Sequence, residues 1–247
     1  MESCEPSNHN DHRDCLACQR SACESATDPN QTPRIMKQPR VKSFGDWILL
    51  WFSRNAECRK ILGVSVGVAA DLPDRDAVFA KITGAFELLQ AHSDRSLDDM
   101  RRHTSGVLVW TTTGAGVRGE WHSRARLVVL EQTYVCHKET LSREIGSTLV
   151  HESTHARLHA KGFIYSGERR ARIENVCFRR QLAFARRLAE PGDLIDQAER
   201  QLRRPPSDFT KNASRERSLA KLVSLGVPRW LARTVEWISR PTDTTER

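Results

Sequence analysis

The chain has 247 residues, long enough for one sizeable core with appendages, but only 38% are hydrophobic, so part of it is expected to lie outside any core. A net charge of +8 and a pI near 9.4, with arginine the main cation, favour acidic protein surfaces or nucleic acid as partners. The longest apolar runs, 47–52 and 61–70, are far too short to span a bilayer, and residues 1–40 lack the apolar core of a signal peptide; a cytoplasmic protein with no membrane partner is expected.

Residues 1–42 are rich in Ser, Asn, Asp, Pro and Gln and read as a disordered or low-complexity extension. The sharper alternative is a small zinc knot from Cys4, Cys15, Cys18 and Cys23, with His9 or His12 as substitutes; a single CxxC with irregular partners is a weak signal. The other cysteines, Cys58, Cys136 and Cys177, are scattered, and a disulfide scaffold is not expected.

The globular part is expected over 43–204. Trp47, Leu49, Leu50, Trp51 and Phe52 form an apolar segment, and Ile61–Ala70 reads as a strand or buried segment ended by Asp71-Leu72-Pro73-Asp74. Val78, Phe79, Ile82, Phe86 and Leu89 recur at helical spacing and predict a helix over about 75–92 that serves only the core. Val107–Thr111 and Ala125–Leu130 read as two strands paired as a hairpin. The glycines between them are no phosphate loop, since no GK[ST] follows.

His151-Glu152-Ser153-Thr154-His155 then stands in a stretch free of proline from Leu141 to Gly162. Thr140 suits the N-cap of a helix here and Gly162 its stop. On a helix, residues i and i+4 are surface neighbours, so two imidazoles face one side and can share a tetrahedral zinc, with Glu152 directed toward a water on it. Zinc in a hydrolytic site usually takes a third protein ligand. His159 is excluded: three imidazoles at i, i+4 and i+8 span about 12 Å of helix axis. The next helix, capped by Ser166 and running over Arg169–Leu188, offers Glu168 and Glu174. Glu174, nearly two turns in, lies where an antiparallel partner would face the pentad; Glu168, in the first turn after the loop, is the alternative. Tyr165 and His159 are candidates to stabilise a tetrahedral oxyanion.

The pentad with a glutamate eighteen residues after His155 is similar to the gluzincin branch of zinc metallopeptidases. The stretch from His151 through Ala185, with cores HESTHARLHAKGFIY and RIENVCFRRQLAFARRL, resembles small uncharacterised members of that group. The resemblance implies an α+β, zincin-like fold: a small antiparallel or mixed sheet whose edge strand runs beside an active-site helix, and a following ligand helix. It implies zinc on His151, His155 and Glu174, and Glu152 as general base for peptide hydrolysis on a peptide or protein substrate. One departure is clear. Gluzincins often carry an acid four residues after the ligand glutamate, and here that residue is Phe178, so support for the zinc histidines must come from elsewhere, with Asn175 the candidate.

A helix over 193–203 and two helical pieces over 214–225 and 228–239 complete the chain, the last two forming an appendage over 205–247. Leu219–Val235 has a loose helix-turn-helix pattern with Arg229 and Arg233, which supports a nucleic-acid-associated regulator with a zincin core as one alternative. A non-catalytic binding module stabilised by its metal is another. Ala125–Leu130 is the strand expected to receive an extended peptide by β-addition.

Overall fold

A computed structural model describes residues 56–231 except Pro73, 112–116, Glu168 and Leu225. The cysteine cluster of the first 42 residues and the apolar segment 47–52 therefore lie outside the described residues, as does most of the helical piece read over 228–239. The described residues form an α+β fold, with a five-stranded mixed sheet and helices α1 Arg75–His92, α2 Asp94–His103, α3 Gln132–Cys136, α4 Ser142–Ala160, α5 Arg169–Ala185, α6 Leu194–Leu202 and α7 Lys211–Ser224. A 3-10 turn, Pro206–Phe209, sits between the last two helices.

The strands are β1 Glu57–Ile61, β2 Val64–Val68, β3 Gly106–Trp110, β4 Gly119–His122 and β5 Leu127–Glu131, in the order β1-β2-β3-β5-β4. The single strand expected over Ile61–Ala70 is instead the second half of a hairpin. Leu62 and Gly63 turn the chain with φ of 45° and 87°, and β1 pairs antiparallel with β2. Nor are β3 and β5 a hairpin. They run parallel, and the short β4 lies outside β5 as the antiparallel edge strand. β5 has a neighbour on both sides, so it has no edge left for β-addition; the edge near the pentad belongs to β4.

Side chains alternate across the pleat. Val66, Val68, Val107, Val109, Val128 and Leu130 enter the main core with Phe79, Ile82, Phe86 and Leu89 of α1 and Ile145 and Leu149 of α4. Two glycines permit close packing there. At Gly146 an added Cβ would stand 3.2 Å from Phe184 and 3.3 Å from Leu89, so the gap lets α4 settle onto α1 and α5. At Gly119 an added Cβ would come within 2.6 Å of Thr148 Cγ2 and 3.3 Å of Glu152 Cγ. A bare backbone at this point brings the edge strand directly against the helix that carries the pentad.

The N-terminus of α4 is not capped by Thr140. Its N-cap is Leu141, and Glu144 reaches back to accept from the Leu141 N–H at 2.8 Å. Its C-terminus ends as the glycine predicts: Gly162, at φ 82°, donates to His159 O at 2.9 Å, and Phe163 donates to Leu158 O at 3.0 Å. This pair of bonds is a Schellman motif, and it reverses the chain so that α5 can pack back on α4.

Candidate metal centre

Inside the pentad, Ser153 and Thr154 are fully buried, and both hydroxyls donate to Val150 O at 3.0 and 2.7 Å. The two middle positions thus satisfy their polar atoms within the helix and leave His151, Glu152 and His155 to face inward. His151 Nε2 and His155 Nε2 lie 3.0 Å apart. Glu174, on α5, completes a triangle: Oε2 is 3.2 Å from His151 Nε2 and Oε1 is 3.6 Å from His155 Nε2. Zinc–ligand bonds of about 2.0–2.2 Å in tetrahedral geometry place neighbouring donors roughly 3.3–3.5 Å apart. The three separations, two of them to different oxygens of the one carboxylate, scatter around that value, so the two nitrogens and the carboxylate could hold one small divalent ion.

A fourth group stands beside them. His151, His155 and the fully buried Cys177 have ligand atoms within 4.8 Å of one another and could hold a metal ion. Cys177 is one turn from Glu174 on the same face of α5 and packs with Leu158 and Ile173. The oxygens of Glu174 make the shorter contacts to the imidazoles, whereas burial first, and then the charges of Glu174 and Glu152, push the Cys177 thiol well above its ordinary range. The reading from sequence missed Cys177, although its i+3 spacing from Glu174 was visible.

The surroundings polarise each member differently. Burial alone would lower the His151 imidazole, but the hydrogen bond it donates to Glu174 and the charges of Glu152 and Glu174 outweigh it and lift it to about 9. Burial and the neighbouring His151 charge depress His155 to about 3. Glu174 would rise by burial, yet its bond to His151 and the charges of both histidines bring it down to about 2. Glu152 is only 5% exposed, and burial followed by the nearby carboxylates Glu174 and Glu120 raises it to about 7, a value suited to taking and giving a proton near neutrality. A divalent cation at the triangle would invert these tendencies, favouring deprotonated donors.

Several side chains hold the centre. Gln181 accepts from His151 Nδ1 at 2.9 Å. Asn175, the residue expected in that role, does not occupy it. Phe178 lies edge-on to His151 with ring centroids 4.9 Å apart, and Phe209 of the 3-10 turn, beyond the boundary drawn at 204, lies 6.1 Å from Phe178. Tyr165 donates its hydroxyl to Glu174, presents its ring to the edge of His155 at 5.2 Å, and carries the Arg170 guanidinium 4.5 Å from its centroid. His159 is exposed and meets Trp121 of β4 at 6.4 Å. Glu168 lies outside the described residues.

Compared with known proteins, the chain matches no family model, no curated protein and no solved structure. A surface groove between β1 and α1, lined by Arg59, Ile61, Asp76 and Phe79, shares no residue with the centre. Among the described residues no helix is long and apolar enough to cross a membrane.

Proposed function

We propose that the chain is a zinc-dependent peptidase with a gluzincin-like, zincin-type arrangement, cleaving peptide bonds in a peptide or protein substrate. The observation that carries this reading is the convergence of Glu174 from α5 on the two Nε2 atoms of the pentad, with edges of 3.0, 3.2 and 3.6 Å. The sheet supports it too, because its antiparallel edge strand β4 lies against α4 beside Glu152.

Bound zinc would lower the pKa of a water toward neutrality and polarise the scissile carbonyl. His151, His155 and Glu174 would hold the ion, and Glu174 would be fixed in turn by the Tyr165 hydroxyl. Glu152, buried and lifted to about 7, would accept the proton of the attacking water and deliver it to the leaving amine. The edge of β4 would take an extended substrate as an added strand. In this arrangement Tyr165 would reach an oxyanion only by leaving Glu174.

The test pairs metal analysis with hydrolysis of a peptide library. The wild type should hold about one zinc per chain, and Glu152→Gln should keep that zinc while losing turnover. Unchanged turnover in that variant removes Glu152 from the chemistry.

Cys177 favours a second reading. If its thiolate joined His151, His155 and Glu174, four protein donors would close the tetrahedron, leaving no position for water, and the centre would be a structural staple. A wild type that binds zinc, needs it to fold and cleaves no member of the library would favour this alternative.

A further inference from the structure

We propose that Gln181 is the positioning residue of this centre, fixing the proton of His151 on Nδ1 and aiming its Nε2 at the ion. The consequence for metal binding rests on the zinc reading above; the contact itself does not.

The amide's orientation follows from its partners. Gln181 Nε2 lies 3.0 Å from the backbone oxygen of Ser147 and 3.2 Å from the Ser147 hydroxyl. A backbone carbonyl only accepts, so the NH2 group must face it, and Oε1 is the atom left 2.9 Å from His151 Nδ1. An oxygen there requires a proton on Nδ1. Nε2 is then the nitrogen turned toward Glu174 and His155. Rotating the amide would set an oxygen against the Ser147 carbonyl and lose that bond.

Position in the fold makes the contact more than a local hydrogen bond. Gln181 lies seven residues, two helical turns, after Glu174, so ligand and positioning residue share one face of α5. Across the interface, Gln181 bridges Ser147 and His151, one turn apart on α4. A single register between α4 and α5 therefore sets both the carboxylate and the plane of the imidazole. Phe178, between them on the same face, lies edge-on to the His151 ring.

There is a physical reason for an amide here. Glu152 and Glu174 already interact unfavourably in this buried space, and each raises the cost of charge on a neighbour. A carboxylate in the place of Gln181 would add a third acid beside them in a partly buried position, whereas the amide supplies the same acceptor with no charge and also a donor that grips α4.

Two readouts test this without any substrate. In chain labelled with 15N-histidine, His151 Nδ1 should carry a slowly exchanging, hydrogen-bonded proton whether or not zinc is present. Gln181→Leu should abolish that resonance and weaken zinc binding, measured by competition with a chelating dye, by about 10–100-fold. Gln181→Glu, which keeps an acceptor at the same distance, should restore the resonance. A wild type with no proton on His151 Nδ1 overturns the proposal, as does a folded Gln181→Leu chain of unchanged zinc affinity. If Gln181→Leu does not fold, the wild-type resonance and Gln181→Glu decide the matter. A chain that takes up no zinc defeats the metal reading, yet the Nδ1 proton is still found or missing, so the two failures are separable.

Discussion

Removing Glu174 asks the structure's central question, because two side chains of α5 compete for one place. Oε2 and Oε1 lie 3.2 and 3.6 Å from the two imidazole nitrogens, whereas Cys177 is held only within 4.8 Å. A zinc–sulfur bond of about 2.3 Å and a zinc–nitrogen bond of about 2.0 Å require donors roughly 3.6 Å apart, so the thiol would have to move inward and lose its proton. The carboxylate needs neither change. Zinc at a hundredfold excess over its dissociation constant stabilises a folded chain by about 2.7 kcal/mol. For a chain of this size each kcal/mol is worth about 2–4 °C, so the wild type should melt roughly 5–11 °C higher with zinc than with a chelator. Glu174→Ala should lose that increment at the same zinc concentration, and Cys177→Ala should keep it. Differential scanning fluorimetry with zinc and with EDTA, alongside metal analysis of gel-filtered protein, reads both. An increment that survives Glu174→Ala and disappears in Cys177→Ala would refute the assignment and make the thiolate the third ligand.

Two further outcomes are expected. Asp99, almost buried on α2, accepts from Arg180 of α5 at 2.8 Å and lies 3.9 Å from Arg157 of α4, while Ser96 accepts from Arg180 at 3.0 Å. Asp99→Ala leaves two guanidinium groups facing each other, so urea unfolding of the chelated chain should show a loss near the lower end of about 3–5 kcal/mol, and a change within error would mean the clasp contributes nothing. The pH dependence should differ between metal-free and zinc-loaded chains. His151, raised to about 9, and Glu152, raised to about 7, contribute stability that is full below their unfolded values and lost as pH climbs through 7 and 9. His155, lowered to about 3, and Glu174, lowered to about 2, lose theirs only as pH falls below 6.5 and 4.5. The metal-free chain should therefore melt lower at pH 9 than at pH 6.5. Zinc competes with the His151 proton, so the increment it gives should grow over that interval; one that shrinks would contradict these protonation states.

What the sequence revealed depended on how each element buries its residues. The helix over 75–92 was legible because its apolar residues follow one stripe, and all five named positions are in the core. The first strand was not, because Glu57, Arg59 and Lys60 occupy an edge where charge is tolerated: Glu57 pairs with Arg59 and Arg75, and Arg59 also lies over the Phe79 ring. The edge strand β4 was hidden by its length of four residues and by Gly119, which reads as a turn signal in sequence. In space that glycine is a gap filled by Thr148 and Glu152. The parallel pairing of β3 and β5 was equally invisible, since alternation fixes a strand's faces and not its neighbours.

The centre divides along the same line. The pentad's spacing dictates that two imidazoles share a face, and chain reversal at Gly162 narrows the carboxylate to α5, so the grouping of His151, His155 and Glu174 was legible in the sequence. The places of Gln181 and Cys177 were not, because positions three, four and seven beyond Glu174 all lie on its face and the rotation of α5 decides which of them reaches α4. That rotation is fixed from outside the motif. Arg180, next to Gln181, is tied to Asp99 and Ser96 on α2, a helix that was not anticipated because only Leu97 and Met100 mark its apolar side. The α2 clasp, α5 and the imidazole of His151 thus form one mechanical series, in which a carboxylate outside the centre helps set the angle of that imidazole. A clasp variant that still folds should therefore bind zinc less tightly than wild type although no donor has been touched.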